Sequence, residues 1–578
     1  MFEWMTKKDD VIAKEVIRDH ERLKSLRKPY EPPMNLVARY FDPRMWDMRQ
    51  KRAKGEVYGI SNYNFTPQEA RRKFAGGFSS RTATKTEASQ ESWINFVSPT
   101  HKLRESDRVK NYMQDAARQV RLGFDRSTFY RETAYQAQIS DASLLWGVMT
   151  IDPDRERSRL VFRRRDPRRH WFSQDRFGDI DVDHFAEPMT AKTLLSQFEE
   201  SALPKKVVAQ GKGELKKDPY SEYQVIQAIY TNGSRRQGSK NTLDKPFIQF
   251  YVLMAGDEGK SETLIEKTGL DWRPSVLRIG QRLDTGYPLT MAMDALTPAI
   301  MGDEIGRHGL MASNSMANPP RLVSESLRDQ LVNQPGHNLA PGSNTYTSDW
   351  VKERVEFMSQ NIDPKYQEVI LQRLDASVDD RFYINLFALL TRRALVGGPA
   401  VTATQIRGEM REGIDQLTPV IQSAEDESLE PSVDAIWAFE TELGNMPDMP
   451  QELIDEAQGG KVNLLNKFTG ELALLRRTLR QNQGEIEAMA IIKEMKGLAP
   501  SAALIVKYKK LLERMLVDRI GQDMIFDERE VAQIEQGLAQ IAQQERQLEQ
   551  AEKQAKIIQM STKDAVDPES PAALAQSA

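Results

Sequence analysis

Apolar residues near the start of the chain fall at Ile12, Val16, Leu23 and Leu26. They lie near one face of a helix that Asp9 or Asp10 can cap. Pro29, Pro32 and Pro33 are expected to end it. Residues 31–90 are polar and aromatic with weak periodicity, which predicts irregular structure with short helices. From about 102 to 140 the helical period returns. Val109, Met113, Ala116 and Val120 then define a buried face. Beyond 140 the period changes again. Residues 143–151 and 159–162 are short apolar runs separated by Asp-Pro turns, and 179–183 alternates strictly. Residues 223–230 and 247–254 have the composition of strands. The whole of 143–285 therefore predicts a small antiparallel barrel or sandwich. A helix over 190–198 and a flexible loop of Lys and Gly near 204–218 interrupt it.

The chain turns helical again from Pro288 to about Ala317, across Pro298 and several glycines, until Pro319-Pro320 stops it. Residues 321–362 mix short runs with a loop rich in Gly, Asn and Pro at 334–348. Asp363 caps a further helix with Pro364 at its first position. This helix runs through Val369, Ile370, Leu374, Phe382, Leu386 and Leu390 to about Leu395. Val396-Gly-Gly-Pro-Ala-Val401 breaks it. Thr402-Ala-Thr-Gln405 has the pattern of a capping box, opening a helix with Ile406, Met410, Ile414, Leu417 and Ile421 on one face. More helices are predicted at 461–495, 500–520 and 527–559. The last carries Val531, Ile534, Leu538, Ile541 and Leu548 at heptad-like spacing, a stripe too thin to stand alone. Residues 564–578 are small and polar and predict a mobile end.

Composition narrows the function. The 578 residues leave room for about four domains or sub-domains. With 39% hydrophobic and 28% charged residues, the chain reads as soluble with much exposed surface. No run approaches about 18 uncharged apolar residues, so no transmembrane helix is expected, and the first ten residues carry no signal-peptide run. There is no cysteine, which excludes disulfides, thiolate zinc sites and cysteine nucleophiles and fits assembly inside a cell. The net charge is −4, so contact with nucleic acid must be local or weak. Charge is nevertheless clustered. Between Glu409 and Ala457 stand 14 acids and one base, Arg411, whereas Arg155 to Arg169 holds eight arginines in fifteen residues. That cluster reads as a nucleic-acid patch, as a guarded strand edge, or as a subunit contact with the acidic stretch. The last is favoured, with Arg163, Arg164 and Arg165 at its centre.

Candidate chemistry is thin. Gly259-Lys260-Ser261 has the end of a phosphate loop, but Met254 stands where the first glycine is needed, so a hairpin turn is the simpler reading. Asp179, Asp181 and Asp183 have calcium-loop spacing with His184 in place of the glycine, and read better as one solvated strand face. The six histidines show no metal-like pair at i, i+4. No enzyme of recognisable class, no cofactor and no metal is expected. Arg392 and Arg393 end a long helix. They read equally as cation capping of its C-terminus or as charge carried toward a ligand.

The order of elements carries a resemblance. Asp107-Arg-Val-Lys-Asn-Tyr-Met113 comes first, then Ser127-Thr-Phe-Tyr130, Glu132 and Tyr135, then an apolar strand at Leu144. Tyr287-Pro-Leu-Thr-Met-Ala-Met-Asp-Ala-Leu296 precedes a helix and Asn318-Pro-Pro-Arg-Leu-Val323. Later come the helix with Phe382 and Leu386, Thr402-Ala-Thr-Gln-Ile406, Leu417-Thr-Pro419 and Glu427-Ser-Leu-Glu-Pro431. Leu443-Gly-Asn-Met-Pro-Asp-Met-Pro450 and Asp523-Met-Ile-Phe-Asp-Glu-Arg-Glu-Val531 follow. Over about residues 90–550 this resembles the portal, or head-to-tail connector, family of short-tailed bacteriophages. Two departures bear on helix geometry. The glycine usual before the apolar strand is replaced around Asp141-Ala-Ser143, and Pro298 lies where a straight stem helix belongs.

The resemblance implies an α+β, mainly helical portal fold, assembled as a ring of twelve at one capsid vertex around a DNA channel. It divides the chain into an N-terminal helix and wing (1–285), a stem helix (286–320) and a clip (321–362). A second stem helix with the channel loop (363–404), a wing return helix (405–460), crown helices (461–560) and a mobile tail (561–578) follow. The implied partners are other copies of the chain, viral double-stranded DNA held transiently and without sequence preference, and the large terminase packaging motor. The major capsid protein, the scaffold protein, and the tail adaptor and tail proteins complete them, with no membrane. The implied location is the virion, after assembly in the host cytoplasm. Channel residues would be Arg392, Arg393, Gly397, Gly398 and Thr402. Clip contacts to motor or tail would be Arg328, Lys352 and Arg354. Subunit contacts would include Val531, Leu538 and Leu548 beside the arginine cluster. The rival readings are a virion scaffold or adaptor, monomeric or coiled-coil, and a DNA-packaging enzyme.

Overall fold

The computed structural model describes residues 7–43, 62–83, 93–98, 106–130, 134–214, 218–233, 243–254, 262–319, 321–324, 344–347, 355–357, 364–388, 403–456 and 465–470, with isolated positions at 100, 103, 472–473 and 553–554. The chain divides into two compact units. The second, 88–91, 105–108 and 487–578, is described only at 106–108 and 553–554, so the architecture below is that of the first.

Helix α1 (Asp9–Arg27) buries Ile12, Val16 and Leu23 on the expected face. The cap expected from Asp9 or Asp10 is not made. Lys8 holds the cap position and both acids sit in the first turn, where the helix dipole favours them. Helix α1 ends at Arg27, just before Pro29, as expected, but the helical region continues. A 3₁₀ turn (Lys28–Tyr30) leads into α2 (Glu31–Phe41), which takes Pro32 and Pro33 in its first turn, where backbone N–H groups have no helical partner. With α3 (Thr66–Thr82), the region expected to be irregular holds two helices of 11 and 17 residues. Strand β1 (Ile94–Val97) precedes α4 (Asp107–Arg126), which buries Val109, Met113, Ala116 and Val120 as its period requires. Next, α5 (Ala134–Leu144) carries the helix through 141–143, where the missing family glycine was expected to matter. The glycine that packing requires is Gly147, because a Cβ there would lie 2.1 Å from the Gln138 carbonyl oxygen.

The strands that follow are β2 (Gly147–Asp154), β3 (Arg159–Arg165), β4 (His170–Gln174), β5 (Ile180–Thr190), β6 (Glu222–Thr231), β7 (Phe247–Met254), β8 (Thr263–Leu270) and β9 (Ser275–Leu277). They form two antiparallel sheets, ordered β3-β2-β9 and β4-β5-β6-β7-β8. Within the second, β6, β7 and β8 pair as consecutive hairpins, so the hairpin reading of 247–266 stands, although Gly259-Lys260-Ser261 lies outside the described residues. The sheets stay open. Among the described residues the outer strands β4 and β8 pair with nothing beyond their one neighbour, so the described strands of 143–285 form two open sheets and no closed barrel. A corner at Asp166, which accepts the N–H of Arg168 (3.0 Å), passes the chain from one sheet to the other. Period-2 alternation assigns the faces of the larger sheet. Val182, Ile226, Ala228, Ile248, Phe250 and Val252 pack against α1. Val225, Leu253 and Ile265 on the other face pack against α6 (Ala191–Gln197) and α7 (Lys205–Gly211). Part of the loop expected at 204–218 is therefore helix α7, held by burial of Val207. Asp183 is buried against His170 and not solvated as the alternation suggests.

A two-stranded ribbon, β10 (Gln281–Arg282) with β11 (Pro288–Leu289), leads to α8 (Met291–Asp294) and α9 (Leu296–Ala317). Pro298 is the third residue of α9, so its missing N–H breaks no helical bond. A small sheet of β12 (Arg321–Ser324), β13 (Asn344–Thr347) and β14 (Val355–Phe357) follows, in the order β13-β12-β14. Then comes α10 (Pro364–Arg381). The continuous helix expected to Leu395 breaks at Phe382-Tyr383. Phe382 is drawn between Phe41 and Phe74, and Tyr383 adopts a left-handed φ of 54° before helix resumes at 384–388. Beyond 402 the chain runs through α11 (Ala403–Ala424), a π-helical turn (Glu425–Leu429) and α12 (Glu430–Glu442), then α13 (Gln451–Glu456). Ile414, Leu417 and Ile421 of α11 are buried. Part of the helix expected at 461–495 is instead strand β15 (Leu465–Phe468), paired antiparallel to β1 with Phe468 stacked on Trp93.

Candidate assembly and conduit elements

Helices α9 and α10 lie against each other as a hairpin, about 33 Å and 27 Å long at 1.5 Å per residue. β12 begins within four residues of the end of α9, and β14 ends seven residues before α10 begins. Because β12 and β14 pair antiparallel, the small sheet closes the hairpin at its far end. A strap crosses the hairpin at its root. Asp303 of α9 accepts the backbone N–H groups of Tyr63 (2.5 Å) and Asn64 (3.1 Å), and Asn64 donates its amide to Asp375 of α10 (2.9 Å). Gly302 gives the strap room, since a Cβ there would lie 2.6 Å from the Asn64 amide nitrogen.

Away from the strap several large apolar side chains of the hairpin stand exposed. Leu310, Met311 and Met316 are 59%, 52% and 53% exposed, and Tyr366 of α10 is 68% exposed. The other end of the hairpin leads toward the segment between α10 and α11. Leu386, just before that segment, touches Gly413 of α11, where a Cβ would stand 2.6 Å from the leucine methyl. The segment's two flanks are thus held side by side. Arg392, Arg393, Gly397, Gly398 and Thr402 themselves lie outside the described residues, as do Arg328, Lys352, Arg354, Val531, Leu538 and Leu548.

The arginine cluster is described, and six of its eight members, Arg155, Arg159, Arg163, Arg164, Arg165 and Arg168, pair with acids of the same chain. Arg163 pairs with Asp152 (2.7 Å) and Arg159 with Asp154 (3.2 Å). Arg164 forks onto Asp141 of α5 (2.9 Å for one arm), where burial pushes the aspartate's pKa up while Arg164 pulls it down. Arg165 donates to Thr150 (3.0 Å) and Glu187 (2.5 Å) and stacks over Phe185, bridging the two sheets. The acidic stretch also meets arginines of its own chain: Arg126 with Glu440 (2.6 Å), Arg155 with Glu442 (3.0 Å), Arg273 with Glu430 (2.6 Å), and Arg278 and Arg282 with Glu427. Among the described residues Arg155 is the cluster member that meets the acidic stretch, at Glu442 of its own chain.

A buried polar seam joins α1 to the larger sheet. The Trp146 indole donates to His170 Nδ1 (3.0 Å), which places the proton on Nε2, facing Asp183. Arg27 donates to the carbonyl of His170 (2.9 Å) and lies over the Trp171 ring. His20 of α1 stacks on His184 of β5 at 5.6 Å, and His184 bonds the Tyr230 hydroxyl, which donates to Asp19. Both rings are almost fully buried. Burial, with Lys24 and Arg27 nearby and Glu21 opposing, holds His20 down at about 3. Burial, with His20, His170 and Arg22 nearby, holds His184 well below its ordinary value.

A pH dependence follows. Unfolded, each imidazole takes a proton near 6.5, whereas docked it refuses one. The stability these rings contribute is full above about pH 6.5 and is lost as pH falls toward about 3. Each ring weakens docking of α1 by up to about 1.4 kcal/mol per pH unit. The protection factors of α1 amides, which remove the intrinsic slowing of exchange with falling pH, should therefore drop steeply between pH 7 and 4.5, and His20→Leu should flatten the profile. An unchanged slope in that variant would contradict the assignment.

Among the described residues no group of three or more His, Asp or Glu side chains is arranged to hold a metal, and no helix is long and apolar enough to cross a membrane. The chain belongs to the family of bacteriophage head-to-tail connecting proteins, whose model matches residues 13–524. It is similar to the portal protein of Salmonella phage epsilon15, at 20% identity over 435 residues, covering 71% of this chain and 74% of that one. It is also similar to the probable portal protein of Bordetella phage BPP-1, at 23% identity over 320 residues, covering 54% of this chain and 52% of that one. The linear sequence did not point to Arg278, Glu427, Arg27 or the His20–His184 stack. Only Glu427 carried a signal, as the first residue of one of the motifs in the resemblance.

Proposed function

We propose that this connector is a portal subunit that closes into a ring of twelve at one capsid vertex, through which the genome is packaged and later released. The supporting observation is the exposed apolar surface of the α9–α10 hairpin, a surface that a second copy of the chain would cover. Twelve such helices at about 10 Å spacing give a ring about 38 Å across between axes and a bore of about 28 Å, wider than a B-form duplex. Twelve copies at −4 each carry −48. A conduit of that charge does not retain a polyanion that gains by counterion release at every basic contact. On this reading the small sheet β13-β12-β14 belongs to the clip that meets the packaging motor and then the tail. The partly exposed side of the arginine cluster at Arg163 and Arg164 and the heptad stripe at Val531, Leu538 and Leu548 are subunit contacts. The other partners are the capsid, scaffold and tail proteins, and the product is a virion component.

Top-view images of the purified protein should show closed rings of twelvefold symmetry. Light scattering that finds only a 65.9 kDa species at every concentration and salt would reject the reading. The channel assignment has its own test. Arg392 and Arg393 would stand at the edge of the Gly397-Gly398 loop, and twelve copies of even one arginine make a belt of +12. Replacing both with alanine should leave rings intact and let packaged DNA leak. Loss of the rings would instead make these arginines assembly contacts.

A further inference from the structure

The run from Ala403 to Glu442 is helical throughout, with two departures: Pro419 inside α11, which has no N–H to donate, and a π turn at Glu425–Leu429, where the hydrogen-bond pattern widens. A π turn amounts to one residue too many in an α-helix and survives where something outside the helix holds it. Here three successive residues are held. The Asp426 carbonyl accepts from Arg273, whose guanidinium also pairs with Glu430 (2.6 Å). The Glu427 carboxylate accepts the backbone N–H of Arg278 (2.8 Å), its Nε (2.9 Å) and one Nη, and Arg282 adds a further Nη at 2.9 Å. The Ser428 hydroxyl donates to Gln138 Oε1 (2.6 Å), whose amide in turn donates to Ser275 (3.0 Å). All the side chains on the far side come from α5 or from 273–282, around β9.

The grip is deeply placed. Arg278 is 1% exposed and spends its other N–H groups on the carbonyl of Gly178 (2.9 Å) and on Gln174 (3.2 Å). Buried charges held this way are costly to separate and specify one geometry. If the grip opens, the extra residue can be absorbed and the turn can relax to α. Shifting a helix by one residue turns it by about 100° and moves it by about 1.5 Å along its axis. The part that would turn is α11, which would re-seat its buried Ile414, Leu417 and Ile421 on the core and carry Gly413 past Leu386 of the 384–388 segment. We propose that the π turn is a latched hinge: Glu427, clamped by Arg278 and Arg282, fixes which face α11 presents, and release of the clamp lets α11 rotate by one residue relative to the sheets. The hinge is read from one chain and needs neither the ring nor the channel assignment.

The absence of cysteine makes the test clean. Exposed Glu156, in the β2–β3 turn, and exposed Gln416, on α11, are replaced by cysteine and spin-labelled. The labelled chains are diluted into unlabelled protein so that distances within one chain are read. The wild-type latch should give one distance. Glu427→Gln should add a second, resolved population, and deletion of Asp426, which removes the surplus residue, should move the whole population to it. Arg278→Met added to Glu427→Gln should not shift the populations further, since both break one clamp. Near-UV circular dichroism checks that the core is intact. Should Glu427→Gln leave the single wild-type distance, or only broaden it with loss of the near-UV signal, the hinge is overturned and Glu427 is a packing residue.

Discussion

Gly280→Ala is expected to destabilise the chain by about 3–5 kcal/mol, the sum of steric overlap and positive-φ strain. Gly280 follows β9 at a φ of 120°, and a Cβ there would lie 1.9 Å from the Leu289 carbonyl oxygen and 2.9 Å from its carbon. Neither atom can retreat. Leu289 belongs to β11, and Thr290 immediately after it caps α8 and donates its hydroxyl to the Leu144 carbonyl (2.7 Å). The position is where the chain leaves the sheets for the helical hairpin, so the overlap is felt by both. Gly213→Ala is the control. Its φ is 76°, but nothing stands within 4 Å of the added carbon, so it should lose only the strain of about 1 kcal/mol. Thermal unfolding of the two variants side by side separates the terms. Equal shifts would mean that the contact at Leu289 gives way.

The elements that were legible in the sequence are those whose burial is settled locally. The stripe Val109, Met113, Ala116 and Val120 predicts α4 because one helix face meets one core. The strands 223–230 and 247–254 lie inside a meander whose faces alternate between α1 and the helices α6 and α7. What failed was decided at a distance. The segment 465–468 reads as helix until β1 offers a partner edge and Trp93 a surface for Phe468. The long helix after Pro364 reads as unbroken because nothing local announces that Phe41 and Phe74 will capture Phe382. Prolines mislead in the same way: Pro32, Pro33 and Pro298 all fall in first turns, where they cost no hydrogen bond. The clamp on the π turn is the extreme case. Arg278 and Glu427 are 149 residues apart, and no spacing rule links them. The clustered charges were visible as composition, but their pairing within one chain came only with the fold.

Replacing Leu310, Met311 and Met316 together with lysine should abolish ring assembly while leaving the chain folded. These side chains are already more than half exposed, so the substitution removes little internal packing and the isolated chain should stay within a few degrees of its thermal midpoint. In a ring each would be covered by a neighbouring hairpin. Burying what remains of each apolar surface contributes about 1 kcal/mol at roughly 25 cal/mol per Å². Lysine both forfeits that and places an ammonium where the neighbour offers no partner. The loss recurs at every interface of a closed ring, so several kcal/mol per interface is enough to move the equilibrium wholly to free chains. Light scattering should then read 65.9 kDa, with wild-type circular dichroism. Arg307→Gln and Glu304→Gln, which remove an exposed ion pair on the same helix, should leave assembly unchanged. If the triple variant still forms rings, the hairpin faces something other than a second copy of itself, and the stem of the proposed ring must be sought elsewhere in the chain.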